Sequence, residues 1–299
     1  MDMWIPVTIA AAGFQTLRFM LQKTLSSTRL SASGATFARF AYSAPIVLVG
    51  LAVALWATGQ DLPEMGARFW AFAALGGLTQ ILATLFVVML FKQRNFAVGI
   101  TFKKTEVIQT ALVGFILLGE GISPLAFGAI CIGLVAVLVL SRTPEVAGPW
   151  WRHLTAPASM LGLGSGVLFA MSGVSYRGAS LELALDPAWR AGVTLAAVVT
   201  MQAVAMGLWL ALRDASELRA VWSARRTAVW VGLTSLAGSF CWFLAFTLQN
   251  AAYVNAVGQI EMIFSLIATV LVFREPVTRR ELTGIGLLLL SILVLIVAI

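Results

Sequence analysis

Apolar residues run almost unbroken through ten windows of the chain, at about 4–22, 34–57, 68–91, 96–118, 122–141, 157–177, 187–212, 227–247, 251–273 and 279–299. A helix needs roughly 20 mostly apolar residues to cross a hydrocarbon core of ~30 Å. The pattern therefore predicts ten membrane-spanning helices with short connections and no soluble domain. The first window resembles a signal peptide only superficially. Asp2 precedes it, it lacks a basic leading region, and Gln15, Arg18 and Gln22 interrupt it, so it is read as a retained span.

Composition agrees with the pattern: of 299 residues 60% are hydrophobic and only 11% charged, far from the balance of a soluble domain. Cys131 and Cys241 fall inside apolar windows and His153 is the sole histidine. That set makes no metal cluster, and no cofactor is expected. The net charge of +7 raises the question of nucleic acid. The basic residues lie in short connections instead of along one solvated face, so no nucleic-acid partner is expected.

The same charges predict a topology. Connections after odd-numbered spans carry Lys23, Arg29, Lys92, Arg94, Arg142, Arg152, Arg213, Arg219, Arg225, Arg226, Arg274, Arg279 and Arg280; those after even-numbered spans carry Arg68 and Arg177. Arg39 and Arg190, in the first turns of spans 2 and 7, add one to each side. By the positive-inside rule the odd connections are cytoplasmic, which puts both termini outside. The membrane implied is the inner, or plasma, membrane.

The chain also repeats itself. Residues 91–120, FKQRNFAVGITFKKTEVIQTALVGFILLGE, align with 246–275, FTLQNAAYVNAVGQIEMIFSLIATVLVFRE, at a constant offset of 155. Glu106 then meets Glu261 and Glu120 meets Glu275, in a chain with only 13 acidic residues. Earlier in each half an offset of 151 pairs Pro6 with Pro157, Gly13 with Gly164 and Arg39 with Arg190. The reading is of two five-span halves, residues 1–145 and 156–299, joined by a linker at 146–155. An odd number of spans inverts the second half in the bilayer. Inverted repeats are the architecture of many secondary transporters, whose substrate sites lie near the midplane between the halves. The fold class expected is thus an all-α membrane protein of ten helices, two inverted repeats around a central cavity.

Ten spans in two copies of five, the FARF stretch that carries Arg39 into span 2, and the LLGE (117–120) and VFRE (272–275) endings of spans 4 and 9 resemble the EamA family of the drug/metabolite transporter superfamily. That resemblance implies a cavity lined mainly by spans 1, 3, 4, 6, 8 and 9, and a function in moving amino acids or other metabolites, most often outward. The family's usual orientation has cytoplasmic termini, opposite to the loop charges here. Many members also carry Pro where Val107 and Met262 follow the mid-span glutamates.

Within this frame the ionisable residues of TFKKTEVIQT, residues 101–110, are the candidate chemistry. Glu106 lies about 15 Å into span 4 at 1.5 Å per residue, and Glu261 reaches a similar depth in span 9. Lys103, Glu106 and Thr110 share a stripe within about 60° on a helical wheel, so Lys103 and Glu106 form an i,i+3 pair. Lys104 points elsewhere, to snorkel or to meet another helix. Charges at this depth cost ~3 kcal/mol or more each unless they face water, a partner or a substrate. The alternative to a cavity wall is a structural ion pair that holds the helices together.

Other spans supply hydrogen-bonding groups. Span 1 offers Gln15 and Arg18, the latter suited by its planar fork to a carboxylate or phosphate. Span 3 offers Gln80, span 8 offers Ser239 and Trp242, and span 9 offers Asn255, Gln259 and Ser265 beside Glu261. Each hydroxyl is also a candidate for gluing helices together. The tryptophans near span ends form an interfacial belt.

Carboxylates and cations in one cavity suit a small zwitterion, so the sequence predicts a secondary active transporter of a small polar metabolite, an amino acid or relative. Glu106 and Glu261 are the candidates for exchanging protons with it. The rivals are a multidrug or organic-cation exporter of the same fold, an uncoupled channel-like carrier or scramblase, and a membrane-embedded enzyme, for which no ligand or nucleophile cluster is seen.

Overall fold

The computed structural model describes residues 3–91, 99, 102–140, 156–264, 266–267 and 278–298. Its regular elements are helices: α1 (Trp4–Thr28), α2 (Ala32–Thr58), α3 (Ala67–Leu90), α4 (Glu106–Leu118), α5 (Pro124–Leu140), α6 (Pro157–Leu181), α7 (Pro187–Arg213), α8 (Ala215–Ser223), α9 (Arg225–Leu248), α10 (Ala251–Gly258) and α11 (Arg279–Ala298). The linker at 146–155 lies outside the described residues.

Local chemistry sets the ends of these helices. Ser31 caps α2 by accepting from the Gly34 N–H at 3.0 Å, and Asn250 caps α10 by accepting from Ala252 N–H at 2.9 Å. Proline opens α6 and α7, where its missing N–H leaves no bond unmade. Gly59 and Gly119 end α2 and α4 in the left-handed conformation, at φ 66° and 68°.

The molecule is apolar outside. Trp56, Leu212 and Val297 are 86%, 87% and 83% exposed, while Arg18, Arg39, Lys103 and Lys104 are buried. That distribution suits a hydrocarbon solvent. Five helices, α2, α3, α6, α7 and α9, are long and apolar enough to cross a membrane, and shorter apolar helices run over Glu106–Leu118, Pro124–Leu140 and Leu282–Ala298. The chain is thus a multi-pass, all-helical membrane protein among its described residues.

Three expectations change on contact with the structure. Spans 4 and 9, read as continuous, are both interrupted. Lys104 and Thr105 form a turn before α4 begins at Glu106, and Gln259 and Ile260 form a turn between α10 and a resumed helix at 261–264. Across each turn the ladder tightens to i→i−3 bonds, Thr105 N–H to Phe102 O at 3.2 Å and Gln259 N–H to Ala256 O at 3.2 Å. Second, the connection after α7 is not a plain loop but holds α8, capped by the Asp214 carboxylate on Ser216 N–H at 3.2 Å. Third, Arg39 stands eighth in α2 whereas Arg190 stands fourth in α7, so the two do not occupy matching places.

Packing joins the early and late parts of the chain. α1 lies on α9, α3 on α6, α2 on α7, α5 on α11, α4 on α6 and α10 on α1. Contacts at the helix ends sort the connections. Ser31 N–H faces Glu217 Oε1 at 3.3 Å and Tyr42 OH donates to Val221 O, which brings the α1–α2 and α7–α9 connections to one end. Arg68 pairs with Glu182 at 3.4 Å, and Arg177 with Glu120 at 2.6 Å, at the other.

Candidate functional site

A cavity of about 60 Å³ lies among α1, α2, α3, α4, α6, α9 and α10, with Gln15, Arg18, Arg39, Gln80, Lys103, Lys104, Glu106, Ser239, Trp242, Asn255, Gln259 and Glu261 on its wall. The two helix interruptions put the acids there. Each glutamate is the first residue after its turn, where the helical ladder has just tightened to i→i−3 bonds.

Each acid has a cation. Lys103 Nζ lies 2.8 Å from Glu106 Oε2, the i,i+3 pair that the spacing predicts. Lys104 Nζ lies 3.1 Å from Glu261 Oε1, across 157 positions of sequence. Gln15 Nε2 donates to the second oxygen of Glu261 at 2.7 Å. Lys103 also sits 4.9 Å from the centre of the Phe169 ring, a cation–π contact.

The two arginines have no such acid among the described residues. Arg39 Nε donates to Ser235 Oγ at 2.7 Å, Nη1 to Thr84 Oγ1 at 3.1 Å and Nη2 to Ser239 Oγ at 3.2 Å. Arg18 Nη1 donates to Gln22 Oε1 at 2.5 Å, and its guanidinium lies 4.2 Å over the Phe19 ring. Gln22 is anchored in turn by its amide on Ala35 O at 3.1 Å. Trp242 stacks on Phe246 with centroids 5.5 Å apart, and its Nε1 has no acceptor.

The other sequence-derived residues fall as follows. Gln80 accepts from Gln202 Nε2 at 3.0 Å. Thr110 is buried behind the wall, donating to Glu106 O at 2.7 Å and accepting from Asn255 Nδ2 at 2.8 Å. Gln259 donates to Asn255 O at 3.3 Å and leaves its Oε1 unpaired. Ser265 lies outside the described residues.

Two wall residues of consequence, Arg39 and Tyr176, are not among the site residues expected from the sequence, while Lys104, expected to snorkel or to meet another helix, meets Glu261. Arg39 was assigned to a helix end and counted toward topology. The structure places it two turns inside α2, deeper than the first turn expected from the sequence. Tyr176 is fully buried, donates to Gly76 O at 2.9 Å and receives Gln202 Nε2 at 3.3 Å. Nothing in its local sequence marked it.

No curated protein matches the chain. A solved protein structure described only as "Crystal structure of protein" is similar to it, with a TM-score of 0.67, 16% identity, and 98% of this chain and 99% of that one covered. At that identity the likeness is one of fold. Residues 156–297 match the sequence profile of the EamA-like transporter family. Over that stretch, just under half of its length, the chain is similar to EamA-like transporters.

Proposed function

We propose that this protein is a secondary active transporter that moves a small polar organic metabolite, an amino acid or related zwitterion, outward across the inner membrane by alternating access. The observation that carries the reading is the cavity lined by four cationic side chains and by Glu106 and Glu261, each placed just after a helix interruption. Interrupted helices that deliver polar groups to the midplane are a recurring construction in transporters.

Two inverted halves, 1–145 and 156–299, are part of the same proposal. Its support is that α1 and α6 both have 25 residues, α2 and α7 both 27, and α3 and α9 both 24. The pairs α1 on α9 and α3 on α6 exchange under such a symmetry, and α2 on α7 and α5 on α11 map onto themselves. Rocking of one half against the other opens the cavity to each side in turn. Glu106 and Glu261 carry the coupled proton, and Gln80, Ser239, Trp242, Asn255 and Gln259 form the hydrogen-bonding wall. The end that bears Lys23, Arg29, Arg219, Arg225 and Arg226 faces the cytoplasm, by its positive charge.

Counterflow in proteoliposomes tests this reading. Purified protein preloaded with a panel of unlabelled metabolites should accumulate the labelled counterpart saturably. Linear, unsaturable flux would make it a channel, and saturable flux without proton movement, unchanged in Glu261→Gln, would make it a uniporter.

A further inference from the structure

We infer that the cavity is built for a metabolite of net negative charge, with its acidic group seated by Arg18 and Arg39. The inference rests on the transport reading of the same cavity and narrows its substrate to metabolites of net negative charge, an acidic amino acid among them. The wall carries Arg18, Arg39, Lys103 and Lys104 against Glu106 and Glu261, a formal excess of two positive charges. The two acids are already engaged, Glu106 by Lys103 and Glu261 by Lys104 and Gln15. An incoming ammonium therefore meets carboxylates that have ion-pair partners, while an incoming carboxylate or phosphate meets guanidiniums with no acid at ion-pair distance among the described residues.

The hydrogen-bond inventory points the same way. A guanidinium has five N–H donors. Arg39 places three of its bonds on hydroxyls, which are neutral, and Arg18 places one on an amide. Trp242 adds an N–H on the same wall without an acceptor. The cavity thus has donors in surplus, of the kind that bind planar oxyanions in forked pairs. A buried guanidinium with no acid at ion-pair distance carries a large desolvation penalty, which an anionic ligand offsets. Protonation of either glutamate for coupling only enlarges the positive excess, so the preference holds through the cycle.

Hydroxyls on Arg39 also serve as positioning groups. Ser235 and Ser239, from one helix, and Thr84, from another, hold the guanidinium plane between α3 and α9. A lysine lacks that planar fork and offers its three donors from a single nitrogen.

The test is ligand-dependent thermal unfolding of the full chain in detergent, at constant ionic strength, with succinate, glutamate, glycerol 3-phosphate, alanine and choline as probes. A ligand that binds the native state raises Tm with its concentration. The expected result is that at least one of the three anions binds ~10-fold or more tightly than alanine and choline, the scale of one charge-assisted bond. Succinate and glutamate against glycerol 3-phosphate tells carboxylate from phosphate. Arg39→Gln should abolish that preference and Arg39→Lys should restore only part of it; Arg18→Gln gives the same reading if the Arg39 variants fail to fold. Alanine or choline binding as tightly as every anion, no shift with any anion, or an anion affinity unchanged in both Arg→Gln variants would overturn the inference. Saturable counterflow of alanine in that case would leave the transport reading intact, so the two failures are distinguishable.

Discussion

Lys104, on the turn that interrupts the fourth span, reaches Glu261 of the ninth with Nζ 3.1 Å from Oε1, and both side chains are largely withdrawn from solvent. The pair ties the two halves of the chain together at the cavity. Removing one member of a buried pair strands the other, at about 3–5 kcal/mol. Glu261→Gln should therefore lower the unfolding free energy by an amount on that scale, and Glu261→Gln with Lys104→Met should recover much of it. A double-mutant cycle on thermal or denaturant unfolding measures the coupling; additive losses would mean that the two groups do not sense one another.

A second tie closes one end of the molecule. Arg177 Nε donates to Glu120 Oε1 at 2.6 Å while Nη1 donates to the carbonyls of Phe246 and Gln249 at 2.7 and 2.8 Å. Those carbonyls belong to the last turn and cap of α9, where a helix has no intrahelical donors left. Lysine supplies a charge but not a fork. Arg177→Lys should cost about 1–3 kcal/mol of stability and leave ligand affinity at the cavity unchanged, as read by Tm with and without ligand.

Gly76 of α3 lies directly against Tyr176 of α6. A Cβ at that position would stand 2.6 Å from Tyr176 Cε1 and 2.7 Å from Cδ1. Tyr176 is pinned by its own bond to Gly76 O, so the ring has little freedom to yield. Gly76→Ala should destabilise the protein by about 1–3 kcal/mol through overpacking, and Gly76→Ala with Tyr176→Phe should recover part of that loss in the same unfolding assay.

The short helix α4 presents Leu112, Phe115 and Ile116 outward, at 60%, 64% and 67% exposure. If that face meets lipid, a charge there costs ~2.5–3.5 kcal/mol on insertion scales. Phe115→Arg should sharply reduce the amount of folded protein recovered from membranes, whereas Phe115→Leu should leave it unchanged. Equal yields of the two variants would place α4 in water.

Much of the fold was legible because hydropathy and helix length are coupled in a bilayer: the windows read as 34–57, 68–91 and 187–212 became Ala32–Thr58, Ala67–Leu90 and Pro187–Arg213. The helix interruptions were not legible. Lys104–Thr105 and Gln259–Ile260 contain neither Pro nor Gly, and Val107 and Met262 stand where the resemblance implies proline. Tertiary contacts from Lys104 and Gln15 to Glu261 accompany the turns. At the site, Lys103 with Glu106 could be read from a separation of three, because helical geometry alone brings them together. Lys104 with Glu261 could not, since nothing local records which late helix faces which early one. Arg39 was misread for a related reason: an Arg near a span end has two ordinary uses, and only its three hydroxyl partners separate them.

The central claim is that this cavity opens to each side of the membrane in turn. Ser172 lies on its wall, and Cys131 and Cys241 are the native thiols to be replaced by alanine. A single Ser172→Cys in that background, treated with a membrane-impermeant thiol reagent in oriented vesicles, should be modified from both faces, with a transported ligand protecting it from each. Modification from one face only, or from neither, would contradict the account.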